Sequence, residues 1–209
     1  SIILADEINR TPPKVQAALL EVLAEGQVTI GGKTRLMDDL FFVAATMNPL
    51  ETEGTYPLPV AERDRFMMRL SMGYPDLDSE LEIVRENPGV VSLERLRPVC
   101  TRDEIVGLRA AVSAVHCAGE LTAAAVKAAR RTRELPGVKA GVSPRGSLML
   151  VAAARGMAVL NGRDYVIDQD ILDCAPPVFL HRMVYGGHGE PGPDPIREVV
   201  LEELKACRY

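Results

Sequence analysis

Two short apolar runs that end in polar residues are the clearest pattern in the first half of the chain. The first covers residues 2–5 and is followed by Asp6 and Glu7, and the second covers residues 41–46 and leads to Asn48. Apolar runs of this length, bounded by polar residues, are typical of buried strands in parallel sheets. The pattern therefore predicts an α/β domain with polar side chains at the carboxyl ends of two strands.

Helical spacing of apolar residues predicts a helix over residues 14–25, with Thr11 as its cap and Gly26 at its end. The strand-like segments 27–30 and 33–36 follow, and the Gly-Gly pair between them predicts a β-hairpin. Three more elements are predicted in this half: a short helix ending at residues 64–66, a third strand over 67–72 and a helix over 78–86.

The second half of the chain is patterned as helices. Thr101 and Glu104 have the spacing of a capping box, and Asp168 is expected to cap a later helix that runs to about Met183. The other predicted helices cover residues 121–135, 143–160 and 197–206. We therefore divide the chain into an α/β part (1–87), a linker (88–100), an all-helical domain (101–185) and a tail (186–209).

The composition is typical of soluble globular proteins. Apolar residues make up 47% of the 209 residues, and the net charge is -5. This acidic balance argues against bulk binding to nucleic acid, and no apolar run reaches the ~20 residues of a membrane helix. The four cysteines and three histidines show no metal-ligand spacing, which indicates free thiols and favours a cytoplasmic location.

The two acids after the first strand are the first candidate for chemistry. At the carboxyl edge of an α/β sheet, Asp6 and Glu7 suit a Mg²⁺-bound phosphate, because one carboxylate can hold the metal while the next polarises a water. Such a site also requires a Gly-rich loop ending in Gly-Lys-Ser/Thr upstream of the acids. No such loop precedes Asp6, so the chain is expected to be the C-terminal part of a larger nucleotidase.

Eight segments, taken in order, resemble the AAA+ ATPases and, among them, closely the MoxR family. They are LADEINR (4–10), KVQAALLE (14–21), QVTIGG (27–32), ATMNP (45–49), EGTYPLP (53–59), DRF (64–66), VSPRGS (142–147) and GRDYV (162–166). Each segment alone is a weak signal, whereas eight in the same order are specific. The resemblance covers nearly the whole chain to about residue 184. It implies a partial AAA+ core, with a parallel sheet, flanking helices and a β-hairpin insertion, followed by a helical lid.

The resemblance implies roles for five side chains. Asp6 and Glu7 correspond to the Walker B acids: Asp6 would hold Mg²⁺ through water, and Glu7 would polarise the attacking water. Asn48 corresponds to sensor 1, whose neutral amide contacts the γ-phosphate and that water. Arg65 corresponds to the arginine finger, which neutralises developing charge at the site of a neighbouring subunit. Arg145 corresponds to sensor 2, which reaches the nucleotide of its own subunit from the lid.

The arginines also have plainer interpretations. Arg65 could be a cation that favours a helix end, and Arg63 and Arg69 lie close to it in sequence. Arg145 lies in the first turn of a predicted helix, where a cation is unfavourable, so it needs an anionic partner such as a phosphate. Arg182 is interpreted as a structural or interfacial residue.

The hairpin over residues 27–36 has two open interpretations. In related motors such hairpins face a central pore, where Lys33 and Arg35 could touch a threaded or remodelled partner. Alternatively, its tip is a solvated turn that carries two charges. Tyr56 and the loop over residues 51–59 could also face the pore or an adjacent subunit.

The resemblance implies an ATPase that binds ATP and Mg²⁺ and assembles as a homo-oligomeric ring, expected to be a hexamer. Its relatives act as chaperone-like factors that mature or remodel partner complexes, often beside proteins with von Willebrand factor A domains. Two alternatives remain: a motor subunit that acts on nucleic acid, and a non-catalytic scaffold fragment. Without a phosphate-binding loop, the isolated chain is expected to be inactive.

Overall fold

The computed structural model describes residues 2–48, 54–86, 96–186 and 192–207. The strands are β1 (Ile2–Ala5), β2 (Gln27–Ile30), β3 (Lys33–Leu36), β4 (Phe42–Ala45), β5 (Val138–Ala140) and β6 (Val184–Tyr185). The helices are α1 (Pro13–Glu25), α2 (Val60–Arg63), α3 (Leu77–Glu86), α4 (Arg102–Ala114), α5 (Gly119–Arg131), α6 (Pro144–Leu160), α7 (Asp168–Phe179) and α8 (Asp194–Ala206). Two 3₁₀ turns, Ile8–Arg10 and Leu180–Arg182, complete the described elements.

The first sheet pairs the two predicted apolar strands side by side. Strands β1 and β4 run parallel, with Ile2 opposite Phe42 and Ala5 opposite Ala45. Beyond their carboxyl ends, Ile8 and Leu58 form a small buried cluster. The predicted pairing of two parallel strands is therefore confirmed, and both strands end at the same edge.

The predicted β-hairpin is also confirmed. Strands β2 and β3 pair antiparallel, with Gln27 opposite Leu36. Gly31 and Gly32 connect them at φ angles of +58° and +75°, which is the left-handed backbone that a two-residue turn of this type requires.

Helix α1 forms where predicted, but Thr11 does not cap it. Pro12 occupies the N-cap position, and the Thr11 hydroxyl instead donates to the carbonyl of Ile8 at 2.6 Å. The preceding 3₁₀ turn thus competes successfully for the hydroxyl. Gly26 ends the helix at a φ of +61° as predicted, and its amide donates to Val22.

The second half is the helical domain, and we call α4 to α8 the lid. Its core is built largely from alanines of α5 and α6 and from the apolar face of α7. Small side chains let these helices pack closely. The capping box at Thr101 is present, since its side chain and that of Glu104 each accept from the other's backbone amide.

This half differs from the sequence predictions in three details. The helix predicted over residues 197–206 is present as α8, but it begins at Asp194 and packs into the lid core through Ile196, Val199 and Leu204, so it is part of the lid rather than of a tail. The helix expected to begin at an Asp168 cap has Ile167 at its N-cap, and it ends at Phe179 before a 3₁₀ turn. Strands β5 and β6 form a small antiparallel sheet that was not predicted.

The third strand predicted over residues 67–72 is absent, because this segment pairs with a helix of the lid rather than with a strand. The amide of Arg69 donates to the carbonyl of Pro177 at 2.8 Å, and Met68 packs against the lid core. Pro177 has no amide of its own, but its carbonyl is available to accept from a neighbouring segment.

The predicted linker lies mostly outside the described residues. No helix in the described part of the chain is long and apolar enough to cross a membrane.

Candidate functional site

The carboxyl ends of β1 and β4 bring three of the predicted site residues to one edge of the sheet. Asp6 and Glu7 directly follow β1, and Asn48 lies three residues beyond β4. Thr46 joins the two strand ends: its hydroxyl donates to Asp6 Oδ1 at 2.6 Å and accepts from the Glu7 amide at 2.9 Å. We did not identify Thr46 from the sequence, although a hydroxyl residue immediately after the second strand was the available signal.

Glu7 has an unusual backbone. Its φ of 47° is in the left-handed region, which costs a residue with a Cβ on the order of 1 kcal/mol. The amide bond to Thr46 and the 3₁₀ turn that follows hold it there. Its carboxylate forms an ion pair with Arg10 Nε at 3.0 Å, so it points along its own turn and must rotate to reach a water near Asp6.

The chemistry of this edge fits a magnesium ion. Asp6 is exposed and only its Oδ1 is engaged by Thr46, which leaves a hard oxygen ligand available to the solvent side. Among the described residues, no group of three or more His, Cys, Asp or Glu side chains could hold a metal by itself. A magnesium ion here would therefore need phosphate oxygens and water as its other ligands, as is usual at nucleotide sites.

Arg65 lies beside the second half of α1. It lines a cavity of about 140 Å³ together with Ala17, Glu21, Glu25 and Glu62. Asp6 and Glu7 do not line this cavity.

Arg145 has an anionic partner within the chain. Its Nη1 lies 3.7 Å from Asp64 Oδ2, and the Ser143 hydroxyl donates to both oxygens of the same carboxylate at 3.1 and 3.0 Å. Asp64 therefore meets the need for an anion that the position of Arg145 predicted. We did not identify Asp64 from the sequence, although it lies beside Arg65 in the segment DRF (64–66).

Arg182 is a structural residue, as predicted. It is 2% exposed and its Nε donates to Asp64 Oδ1 at 3.0 Å. Burial lowers the pKa of Arg182 from its ordinary value, and the charge of Asp64 opposes that shift. The buried Arg182 thus joins the lid to the α/β part through an ion pair with the half-buried Asp64.

His181 is buried next to Arg182, and its Nε2 lies 3.1 Å from the carbonyl of Phe66. Burial lowers the pKa of His181 to about 4, and the charges of Arg182 and Arg69 act in the same direction. In the unfolded chain this pKa returns to about 6.5. The folded state therefore binds fewer protons than the unfolded state between pH 6.5 and 4.

We expect acid to weaken this fold through His181. As the pH falls from 6.5 toward 4, the free energy of unfolding should drop by up to about 1.4 kcal/mol per pH unit from this group. Urea unfolding at pH 7.5 and at pH 5 measures this change. The free energy of unfolding should fall less between the two pH values in His181→Gln than in the parent chain. The matched control, His116→Gln, should keep the full loss; equal pH dependence in all three proteins would contradict the assignment.

The hairpin tip is on the surface. Lys33 and Arg35 are exposed, which is compatible with both interpretations of the hairpin. Tyr56 contacts the turn that follows the two acids, since its amide donates to the carbonyl of Asn9 at 2.6 Å. Its own carbonyl accepts from the side chain of the buried Gln16 at 3.3 Å. Residues 51–53 of the loop lie outside the described residues.

Two family models match the chain. The model described as "ATPase family associated with various cellular activities (AAA)" matches residues 1–68. The model described as "AAA lid domain" matches residues 130–203. The first match contains both strand ends and Arg65, and the second contains Arg145, Arg182 and most of α8.

Three curated proteins are similar in sequence over most of the chain. The uncharacterized protein YeaC of Bacillus subtilis (strain 168) is 46% identical over 184 residues. Chaperone MoxR1 of Mycobacterium tuberculosis (strain ATCC 25618 / H37Rv) is 43% identical over 193 residues, and protein MoxR of Methylorubrum extorquens is 33% identical over 204 residues. Each match covers 88% of this chain, but the chain spans only 51% to 59% of the length of these relatives.

A solved structure shares the fold. The crystal structure of a candidate ATPase from Cytophaga hutchinsonii superposes with a TM-score of 0.86 at 36% sequence identity. The superposition covers 97% of this chain and 65% of that protein. The α/β part and the lid therefore together reproduce an arrangement that is already known.

Proposed function

Because the chain belongs to the MoxR family of AAA+ ATPases, we propose that it supplies the water-activating and charge-neutralising part of an ATP-hydrolysing site. The observation that carries this proposal is the parallel pairing of β1 with β4. That pairing places Asp6, Glu7 and Asn48 at one edge of the sheet, where ligands of open α/β sheets bind.

The residues at this edge divide the work. Asp6, oriented by Thr46, would help to hold the magnesium ion through water, and the ion would neutralise charge on the phosphates. Glu7 would rotate from Arg10 and polarise the attacking water. Asn48 would orient that water and the γ-phosphate without adding charge.

The two arginines complete the site from different sides. Arg145 would leave Asp64 and contact the nucleotide bound by its own subunit. Arg65, which lies beside α1, would act at the site of a neighbouring subunit. This division of roles requires a ring, and we propose a homo-oligomer, expected to be a hexamer.

The wider role is proposed from the family. We propose chaperone-like remodelling or maturation of partner protein complexes, with partners that carry von Willebrand factor A domains as the first candidates. A cytoplasmic location stays a prediction that rests on the cysteine pattern. The chain is acidic overall and carries only two cations near the hairpin tip. Both features favour a protein partner over nucleic acid.

The proposal is tested by ATPase assays on the full-length gene product that contains this chain. We expect Mg²⁺-dependent turnover that Asp6→Asn lowers by at least about 10²-fold, since it weakens the electrostatic stabilisation of the transferring phosphate. The matched control is Asp78→Asn in the exposed α3, which should leave turnover unchanged. The isolated 209-residue chain should show neither tight ATP binding nor turnover. Undiminished turnover in Asp6→Asn, or robust Mg²⁺-dependent turnover by the isolated chain, would refute the proposal.

A further inference from the structure

The backbone on both sides of Arg65 is bound by one side chain of the lid. Arg182 Nη2 donates to the carbonyl of Asp64 at 3.1 Å and to the carbonyl of Phe66. Its Nη1 donates to the carbonyl of Met67 at 3.2 Å. A single buried guanidinium therefore holds the residue before Arg65 and the two residues after it.

The same guanidinium is anchored in the lid. Its Nη1 also donates to the carbonyl of Val178 in α7, and its stem passes the first turn of α6. At that point a Cβ added to Gly146 would come within 3.1 Å of Arg182 Cδ and would collide with Val142. The position of Arg182 is thus fixed by two lid helices at once.

Two further contacts extend the attachment along the chain. Residues 64–69, which we call the arginine turn, also contact the lid through the bond from the Arg69 amide to Pro177. His181 Nε2 lies beside the carbonyl of Phe66. The arginine turn is therefore bonded to the lid from its first residue to its last.

We infer that Arg182 is a positioning residue for Arg65, and that it makes the arginine turn move together with the lid. This inference rests on the proposed function, because the proposed function assigns Arg65 to the site of a neighbouring subunit. As a consequence, when the lid of one subunit moves in response to its own nucleotide, it displaces the Arg65 that acts on the nucleotide of the neighbouring subunit.

Asp64 connects this device to the other arginine. Its carboxylate is shared by Arg182, Ser143 and Arg145. When Arg145 turns from Asp64 to a bound phosphate, Asp64 loses one cation while its bond to Arg182 persists. The buried pair of Asp64 and Arg182 then transmits the change directly to the backbone next to Arg65.

The arrangement needs arginine in particular. A guanidinium presents five donors in a planar fork, whereas a lysine ammonium presents three donors from one point. Only the fork can bind a carboxylate and several carbonyls that lie on both sides of one residue. Arg182→Lys therefore keeps the charge next to Asp64 but releases part of the arginine turn.

A subunit-mixing assay on the full-length gene product tests the inference. Arg182→Lys and Arg182→Met should each lose about 10²-fold in turnover, the size expected for a misplaced catalytic group, with little change in ATP binding. Mixing either variant with Glu7→Gln subunits should raise turnover at least about tenfold over the variant alone, because Glu7→Gln subunits still offer a well-placed Arg65. Asn48→Ala mixed with Glu7→Gln should show no rise, since no complete site can form.

Hydrogen exchange on this chain supplies a readout that needs no nucleotide. In Arg182→Lys the amides of residues 65–69 should exchange about tenfold faster, the factor expected when one or two hydrogen bonds are lost. The control is Arg163→Met, which removes a buried ion pair with Asp170 within the lid (2.7 Å) and should leave those amides unchanged.

The outcomes are distinguishable. If the unmodified protein hydrolyses no ATP, the proposed function fails, and the exchange assay still decides whether Arg182 holds the arginine turn. If ATP is hydrolysed but mixing does not restore the Arg182 variants, Arg182 acts within its own site and the inference is wrong. Unchanged exchange at residues 65–69 in Arg182→Lys would also overturn it.

Discussion

Arg65→Ala should lower ATP turnover by roughly 10³–10⁵-fold while ATP binding stays within a few-fold of normal. The loss is large because charge builds on the γ-phosphate oxygens as the bond breaks, and a planar guanidinium neutralises it only in the transition state. Arg65 lies beside α1, with acids Glu21, Glu25 and Glu62 around it, and we propose that it serves the site of a neighbouring subunit. Binding, which uses other groups, should therefore be spared.

The measurement is steady-state turnover together with equilibrium binding of a fluorescent ATP analogue to the full-length gene product. Arg63→Ala is the matched control, because Arg63 is the neighbouring cation at the end of α2. It should retain turnover within a few-fold. A large loss in Arg63→Ala with a normal Arg65→Ala would move the finger to position 63, and a loss of binding in Arg65→Ala would place Arg65 at its own site.

Glu7→Gln should trap ATP without hydrolysing it. The amide keeps the size of the side chain but cannot draw a proton from water, which removes a general-base contribution of roughly 10²–10⁴-fold. Its loss of charge also weakens the ion pair with Arg10, and that pair is exposed enough to contribute little to stability. Fold and nucleotide affinity should therefore survive.

Single-turnover hydrolysis and retention of radiolabelled ATP after gel filtration measure this effect. Glu80→Gln, which removes an acid from the exposed helix α3, is the control and should turn over ATP normally. If Glu7→Gln and Arg65→Ala both keep normal turnover, the assignment of the site is wrong as a whole.

The parts of the fold that sequence predicted are those fixed by local pattern. Two apolar runs predicted β1 and β4, and a Gly-Gly pair predicted the hairpin, because a few adjacent residues set the backbone conformation. The burial predicted for the two strands was wrong, since Ile2, Leu4 and Phe42 are exposed. The same patterns predicted that Asp6 and Asn48 share one sheet edge. The location of that edge could be predicted from sequence because neighbouring parallel strands have their carboxyl ends on the same side of the sheet.

The parts that sequence did not predict depend on distant contacts. Residues 67–72 have the composition of a strand, but they bond to Pro177 in a helix more than a hundred residues later. Asp64 looked like one acid of a short segment, whereas its role comes from Ser143, Arg145 and Arg182 around it. No local rule contains those partners, so tertiary structure was needed to find them.

The missing side chain at position 146 has a consequence for protein engineering. Gly146 leaves the space through which the aliphatic part of the Arg182 side chain passes. A larger residue at position 146 would therefore occupy space that Arg182 needs. Stabilising this helix by the usual glycine-to-alanine replacement would fail here, although it succeeds at many helical glycines. A redesign of the lid interior must therefore select the residues at positions 146 and 182 together.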